Sequence, residues 1–193
     1  MSDAASDIAS DALVATQDIS PSASQTTSSR RHSTAPRGWN ASELWDISSL
    51  AKWSLSTCKD SFGIDRLRDD NPDTYWQSDG TRPHFVNITL HKCCTIAQIS
   101  LYLDYKQDES YTPQTIAISA GSRSNDLHLI TTVNLVKPEG WIHIPVSEPD
   151  QQPIRAFMLR VAVLSNHQGG IDTHIRLIRI YRHKDDGTTH PTL

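Results

Sequence analysis

Nine consecutive residues, Asn166-His167-Gln168-Gly169-Gly170-Ile171-Asp172-Thr173-His174, bring amide, imidazole, carboxylate and hydroxyl groups together. Such groups can hold a metal ion, move protons or pair with a polar ligand. His167, Asp172 and His174 follow the spacing His-x-x-x-x-Asp-x-His, which offers two imidazoles and one carboxylate and matches no zinc signature. A serine nucleophile could be added to the three on paper. The chain has no G-x-S-x-G elbow, however, and nothing places a hydroxyl within their reach, so catalysis is not expected. The Gly169-Gly170 pair opens turn geometries closed to other residues. A loop this polar on a stiff scaffold suits recognition, and it reads equally well as a solvated hairpin turn.

Two other stretches carry polar chemistry. Asp69, Asp70, Asn71 and Asp73 could surround Ca²⁺ with oxygen ligands. Asx side chains that cap their own backbone are far commoner, and that reading is preferred. Asp65 to Gly80 is read as a long structured loop pinned by Trp76. Asp104-Tyr105-Lys106 and Ser110-Tyr111-Thr112-Pro113 flank a further loop rich in donors and acceptors. No phosphate-binding glycine loop is present. Trp76 and Trp141 are expected as core anchors. Cys58, Cys93 and Cys94 make a poor disulfide framework and read as small packing residues. No metal and no cofactor is expected.

The elements that must position these residues are mostly strands. Val86, Ile88 and Leu90 alternate with polar residues, as do Ile99, Leu101 and Leu103. Ile116 and Ile118, then Ile142, Ile144 and Val146, continue the period of two, as do Phe157, Leu159, Val161 and Val163. Ile178 and Ile180 follow the polar loop, with a slip near Ile175 and Leu177 that suggests a bulge. Trp53 to Ser56 reads as a first strand, preceded by a short helix from a Ser42 cap to about Leu50, with Leu44, Trp45 and Ile47 on its buried side. Short alternating strands between turns predict a two-sheet β-sandwich. Loops gather at the ends of such a sandwich, so the turns at Trp76–Asp79, Tyr105–Thr112 and Asn166–His174 are candidates for one surface.

Residues 1–38 hold almost nothing large to bury and are expected to be a disordered tail, and 184–193 a flexible one. With 193 residues, this leaves one domain over 39–183. Hydrophobic residues make up only 37%, which fits a partly unfolded chain. A net charge of −4 argues against a dedicated nucleic-acid binder. No stretch approaches the length of a membrane span, and no signal peptide is apparent, so an intracellular, reducing compartment is expected.

Four blocks resemble the DOC-domain family in residue type and order. They are Asp69 to Gly80, then Asp104-Tyr105-Lys106 with Asp108 to Pro113, then Gly140-Trp141-Ile142-His143, and finally Asn166-His167-Gln168 with Asp172-Thr173-His174. The resemblance spans about Trp39 to Arg182. It implies a jelly-roll β-sandwich of the galactose-binding, discoidin-like kind, and no catalytic residues. It also implies a subunit of the anaphase-promoting complex, a cullin–RING ubiquitin ligase of the cell cycle, at work in nucleus and cytoplasm. There the DOC domain acts beside a propeller-type coactivator as co-receptor for the destruction box of substrates, and raises processivity. The scaffold and TPR-repeat subunits of that complex are further implied partners. Carried over by motif, the implied degron-binding residues are Asn166, His167, Asp172 and His174, with Ser78, Tyr105, Ser110 and Tyr111 on neighbouring loops. Family members often end in Ile-Arg, which docks on a TPR-repeat subunit. This chain ends Pro191-Thr192-Leu193, so no tail-docking residues are carried over. The alternatives are a carbohydrate- or small-ligand-binding module of the same sandwich type and a metal-dependent hydrolase.

Overall fold

A computed structural model describes residues 43–146 and 154–184. The expected N-terminal tail, Ser42, and all but Lys184 of the C-terminal tail lie outside the described residues.

The alternating segments form strands, and each turns its apolar face inward. Strands β2 (Ala51–Leu55), β4 (His84–Ile96), β9 (Ile154–Asn166), β6 (Pro113–Gly121) and β7 (His128–Asn134) pair in that order as a five-stranded sheet. Strands β1 (Leu44–Asp46), β11 (Leu177–His183), β5 (Gln98–Asp104) and β8 (Glu139–Pro145) form a four-stranded sheet. All these pairings are antiparallel. Val86, Ile88, Leu159, Val161, Val163, Ile116 and Ile118 of the larger sheet pack into one buried core with Ile99, Leu101, Ile178 and Ile180 of the smaller. Burial of this apolar surface is the main stabilising term. The expected sandwich is what forms.

Several local expectations give way to tertiary pairing. The segment expected as a helix before Leu50 is strand β1 followed by a 3-10 turn, Ser48–Leu50. Leu44, Trp45 and Asp46 pair with His183, Arg182 and Tyr181, and Asp46 Oδ1 accepts the Ser48 N–H at 2.8 Å. The loop from Asp65 to Gly80 contains the short helix α1 (Ile64–Arg68) and the two-residue strand β3 (Trp76–Gln77). Trp76 pins it as expected. Its ring is fully buried, and Nε1–H donates to Thr57 O at 2.9 Å, so the indole is buried with its polar handle satisfied.

Phe157 does not share a face with Leu159. It is 41% exposed, because four residues of β4, Leu90 to Cys93, stand opposite this one residue and shift the register. The slip near Ile175 is not a bulge within one strand. Strand β10 (His174–Ile175) pairs with β3, and the chain crosses at Arg176 into β11. Trp141 is half-buried on the opposite face of β8 from the buried Ile144, edge-on to Tyr102. All three cysteines are unbridged, and Cys58 is exposed rather than packed.

Candidate functional site

Three loops meet at one end of the sandwich, as the sequence suggested. The first follows β3. The second holds helix α2 (Tyr105–Asp108) and a 3-10 turn, Glu109–Tyr111. The third runs from Asn166 at the end of β9 to His174 and includes a 3-10 turn, His167–Gly169.

Backbone and side-chain bonds lock them together. Ser78 N donates to Thr173 O at 3.1 Å, and Thr173 N donates to Ser78 Oγ at 2.8 Å. His167 N and Nδ1 both donate to Thr112 O, at 2.9 and 3.1 Å, while Nε2 accepts the Lys137 N–H at 3.1 Å. With both ring nitrogens engaged this way, His167 is the neutral tautomer protonated on Nδ1. Asn166 Nδ2 donates to Asp172 O at 2.7 Å, with longer bonds to Gly170 O and Ile171 O. His84, at the start of β4, meets Ile171 O through Nε2 at 2.9 Å. Gln168 takes a positive φ of 53° and donates through Nε2 to the Tyr105 hydroxyl at 2.9 Å. Gly170 lies against the Ser110 backbone, where a Cβ would meet the carbonyl oxygen.

Beneath this surface is a charged hub. The Asp108 side chain is buried. Its Oδ1 accepts from His174 Nδ1 at 2.9 Å and from Arg176 Nη2 at 2.8 Å, and its Oδ2 accepts from Arg176 Nε at 2.8 Å. Arg176 Nη1 donates to Pro72 O at 2.8 Å, which ties the Asp-rich turn to the hub. Burial alone would push the Asp108 carboxyl up. The bonds from His174 and Arg176 outweigh it and hold the group below the usual carboxylate range. Burial likewise opposes the Arg176 charge, and the Asp108 bonds overcome it and push the guanidinium up. The His174 ring is sandwiched between Tyr75 at 4.0 Å and Tyr111 at 4.3 Å, and Phe62 extends the stack beyond Tyr75 at 5.2 Å.

All eight sequence candidates sit at this end, in two layers. Ser78, Asn166, His167 and His174 are buried and brace the loops. Tyr105, Ser110 and Asp172 are half-exposed, and Tyr111 is 39% exposed. Val136, 88% exposed, and Ile171 add apolar side chains on the Lys137 segment and on the third loop. Asp69, Asn71 and Asp73 form the expected Asx turns, with Asn71 N on Asp69 Oδ1 and Asp73 N on Asn71 Oδ1, both at 3.0 Å. Sequence reasoning missed Asp108, Arg176, Tyr75 and Thr112 as site residues. The signal for Arg176 was present, since an arginine inside the apolar run Ile175-Arg176-Leu177-Ile178 must find a carboxylate. Removing the His167 ring (His167→Ala) orphans the Lys137 N–H and leaves the Thr112 carbonyl with the His167 backbone N–H alone. It is expected to cost about 1–3 kcal/mol, read by chemical denaturation.

Buried polar atoms without a partner among the described residues gather here. They include Thr112 Oγ1, Asn166 Oδ1, Asp172 Oδ1, His174 Nε2 and His84 Nδ1. Native structures keep few such atoms, and each calls for an explanation.

The sandwich with one loop-built end is that of discoidin-like jelly-roll modules. A family 32 carbohydrate-binding module from Clostridium perfringens, solved in complex with galactose, superposes with a TM-score of 0.61 at 14% identity, covering 72% of this chain and 99% of that one. An F5/8 type C domain from Bacteroides fragilis does so with a TM-score of 0.60 at 16% identity, covering 73% and 97%. At the sequence level, the family model described as "Anaphase-promoting complex, subunit 10" matches residues 11–190. Anaphase-promoting complex subunit 10 of Homo sapiens is 52% identical over 136 residues, 70% of this chain and 74% of the relative. That of Schizosaccharomyces pombe is 47% identical over 137 residues, 70% and 72%. Anaphase-promoting complex subunit DOC1 of Saccharomyces cerevisiae is 31% identical over 144 residues, 74% and 58%. The chain belongs to the anaphase-promoting complex subunit 10 family.

Proposed function

We infer that this chain is a non-catalytic subunit of the anaphase-promoting complex ubiquitin ligase. Beside a coactivator, it holds the polar part of a destruction-box degron. The observation that carries the reading is the two-layered loop end in a chain of this family. A braced base keeps Tyr105, Ser110, Tyr111 and Asp172 in place at the surface, over atoms of Thr112, Asn166 and His174 that have no partner among the described residues. Aromatic, hydroxyl and carboxylate groups of this kind suit an extended peptide with polar side chains. Each hydrogen bond to it contributes about 0.5–1.5 kcal/mol net. A few of them give weak binding, useful only beside a second receptor on the same substrate. Weak bivalent capture allows partial release and rebinding, which is what repeated ubiquitin transfer needs. The carbohydrate-binding module shares only the fold, at 14% identity, and lends no support to a sugar site.

The test uses the assembled ligase with a Tyr111→Ala, Asp172→Ala chain. The buried base is left untouched, and incorporation and thermal melting are checked in parallel. The expected result is a several-fold fall in ubiquitins added per substrate encounter, with assembly intact. Unchanged processivity with normal incorporation would remove this surface from degron binding.

A further inference from the structure

A second site lies away from the degron loops. Asp46, Ser48, Ser49, Leu67, Arg68, Asp70, Leu177, Ile178 and Arg179 line a cavity of about 290 Å³ between the start of the domain, α1 and β11. Arg68 is its distinctive member. The guanidinium lies 4.3 Å over the Trp53 ring, and Trp53 is itself fixed by an Nε1–H bond to Ser48 O at 3.1 Å. Arg68 makes no hydrogen bond or ion pair among the described residues. The neighbouring Arg179 is committed. It donates to Asp70 Oδ1 at 2.9 Å and stands 3.8 Å from Asp46 Oδ2. Asp46 in turn accepts the Ser48 N–H, and the Ser48 hydroxyl accepts the Ile180 N–H. Arg179, Asp46 and Ser48 are thus tied down, while a planar five-donor fork is held flat with no hydrogen-bond partner among the described residues. The exposed Ser49 hydroxyl also lines the cavity.

We propose that this cavity receives the side-chain carboxylate of an acidic residue from a neighbouring protein subunit, paired in plane with the Arg68 fork. The geometry selects the chemistry. A guanidinium stacked on an indole leaves only its edge to donate, and a carboxylate matches that edge with two parallel bonds. A phosphate dianion fits less well, because Asp46 and Asp70 in the lining repel two negative charges more strongly than one. Burial lowers the Arg68 pKa, only partly countered by Asp46 and Asp70, so its charge is undercompensated in the free chain. An incoming carboxylate relieves that. A protein source follows from membership of a family of complex subunits, whose surfaces meet other chains.

The experiment has two arms on the full chain. In the first, the Arg68 Nε–H resonance is followed by NMR while acetate, or phosphate at matched ionic strength, is added. Acetate is expected to shift it saturably and phosphate not. Arg68→Lys, which keeps charge but loses the fork, should show no saturable acetate response at the Trp53 Nε1–H resonance, which shifts with acetate in the wild type, and should leave the melt unchanged. In the second arm, Arg68→Glu chains are incorporated into the ligase against wild type, alongside Arg68→Lys as the folding control. Loss of a buried, bidentate pair is expected to weaken incorporation on the order of tenfold or more. No saturable acetate shift overturns the carboxylate site. An acetate shift with undiminished Arg68→Glu incorporation overturns the protein source and leaves a site for a free carboxylic acid. Degron-loop variants leave both readouts unchanged, so this proposal and the degron reading fail separately.

Discussion

Gly170→Ala is expected to lower the melting temperature by roughly 6–12 °C and, on the proposed function, to lower processivity in the assembled ligase. The reason is steric, not conformational. Gly170 has φ −53° and ψ 144°, which any residue adopts. An added Cβ, however, would coincide with the Ser110 carbonyl oxygen and lie 2.7 Å from its carbon. Both groups are backbone, so neither can rotate away. The two loops must separate, and the cost is placed near 3 kcal/mol, the upper end for overpacking. The neighbouring glycine is an internal control with the opposite logic. Gly169 has φ +73° and nothing within 4 Å of its would-be Cβ. Gly169→Ala should therefore cost only about 1 kcal/mol of backbone strain. Comparable losses at both positions, read from paired thermal melts, would contradict the close packing of the loops.

The second large effect is expected at Asp108. Asp108→Ala leaves the Arg176 guanidinium and the His174 ring buried without their acceptor, and should cost about 3–5 kcal/mol. The wild-type pair also sets an acid limit. The Asp108 carboxyl is held below the value it has in the unfolded chain, about 3.9. The folded state therefore binds its proton more weakly than the unfolded state. The stability this contributes is complete above that value, and it is lost as pH falls below about 4 through the depressed folded value. Urea denaturation at stepped pH should show wild type losing this increment below pH ~4. Asp108→Ala, having nothing there to titrate, should show a shallower acid slope. Parallel slopes would mean that the carboxylate does not carry the hub.

What the sequence disclosed divides along physical lines. Alternation over Val86–Leu90, Ile99–Leu103 and Leu159–Val163 was legible because a strand with one buried face must repeat every two residues. The polar loop was legible from the chemistry of its side chains, and its family from ordered motifs. Pairings between distant segments were not. Leu44-Trp45-Asp46 is too short and too mixed to favour a strand by its own composition, Trp45 being its one strand former. It becomes one because residues Tyr181 to His183 offer an open edge. Phe157 reads as inward until the shift opposite Leu90 to Cys93 is known. The division of the site into a buried base and an exposed layer was equally hidden. Asn166, His167 and His174 look like ligand groups in a list of residues, yet most of their polar atoms are spent on Thr112, Lys137, Asp108 and the loop carbonyls. Burial decides which polar side chains are free to bind, and burial is a property of the assembled loops.

The strand order carries a consequence for biosynthesis. Strand β11, the last among the described residues, lies between β1 and β5 and is hydrogen-bonded to both. The smaller sheet therefore cannot close while the chain is still being made up to that point. Throughout that interval Ile99 and Leu101 lack Ile180 and Ile178, the residues opposite them in register, and the β5 edge facing β11 is unpaired. Nascent chains in this state expose an apolar face and a pairing-competent strand, both recognised hazards for aggregation. A released chain that ends before Leu177 would hold every strand of the five-stranded sheet and an open second layer. Demand for chaperones during translation should accordingly be concentrated late, and relieved by the emergence of seven residues.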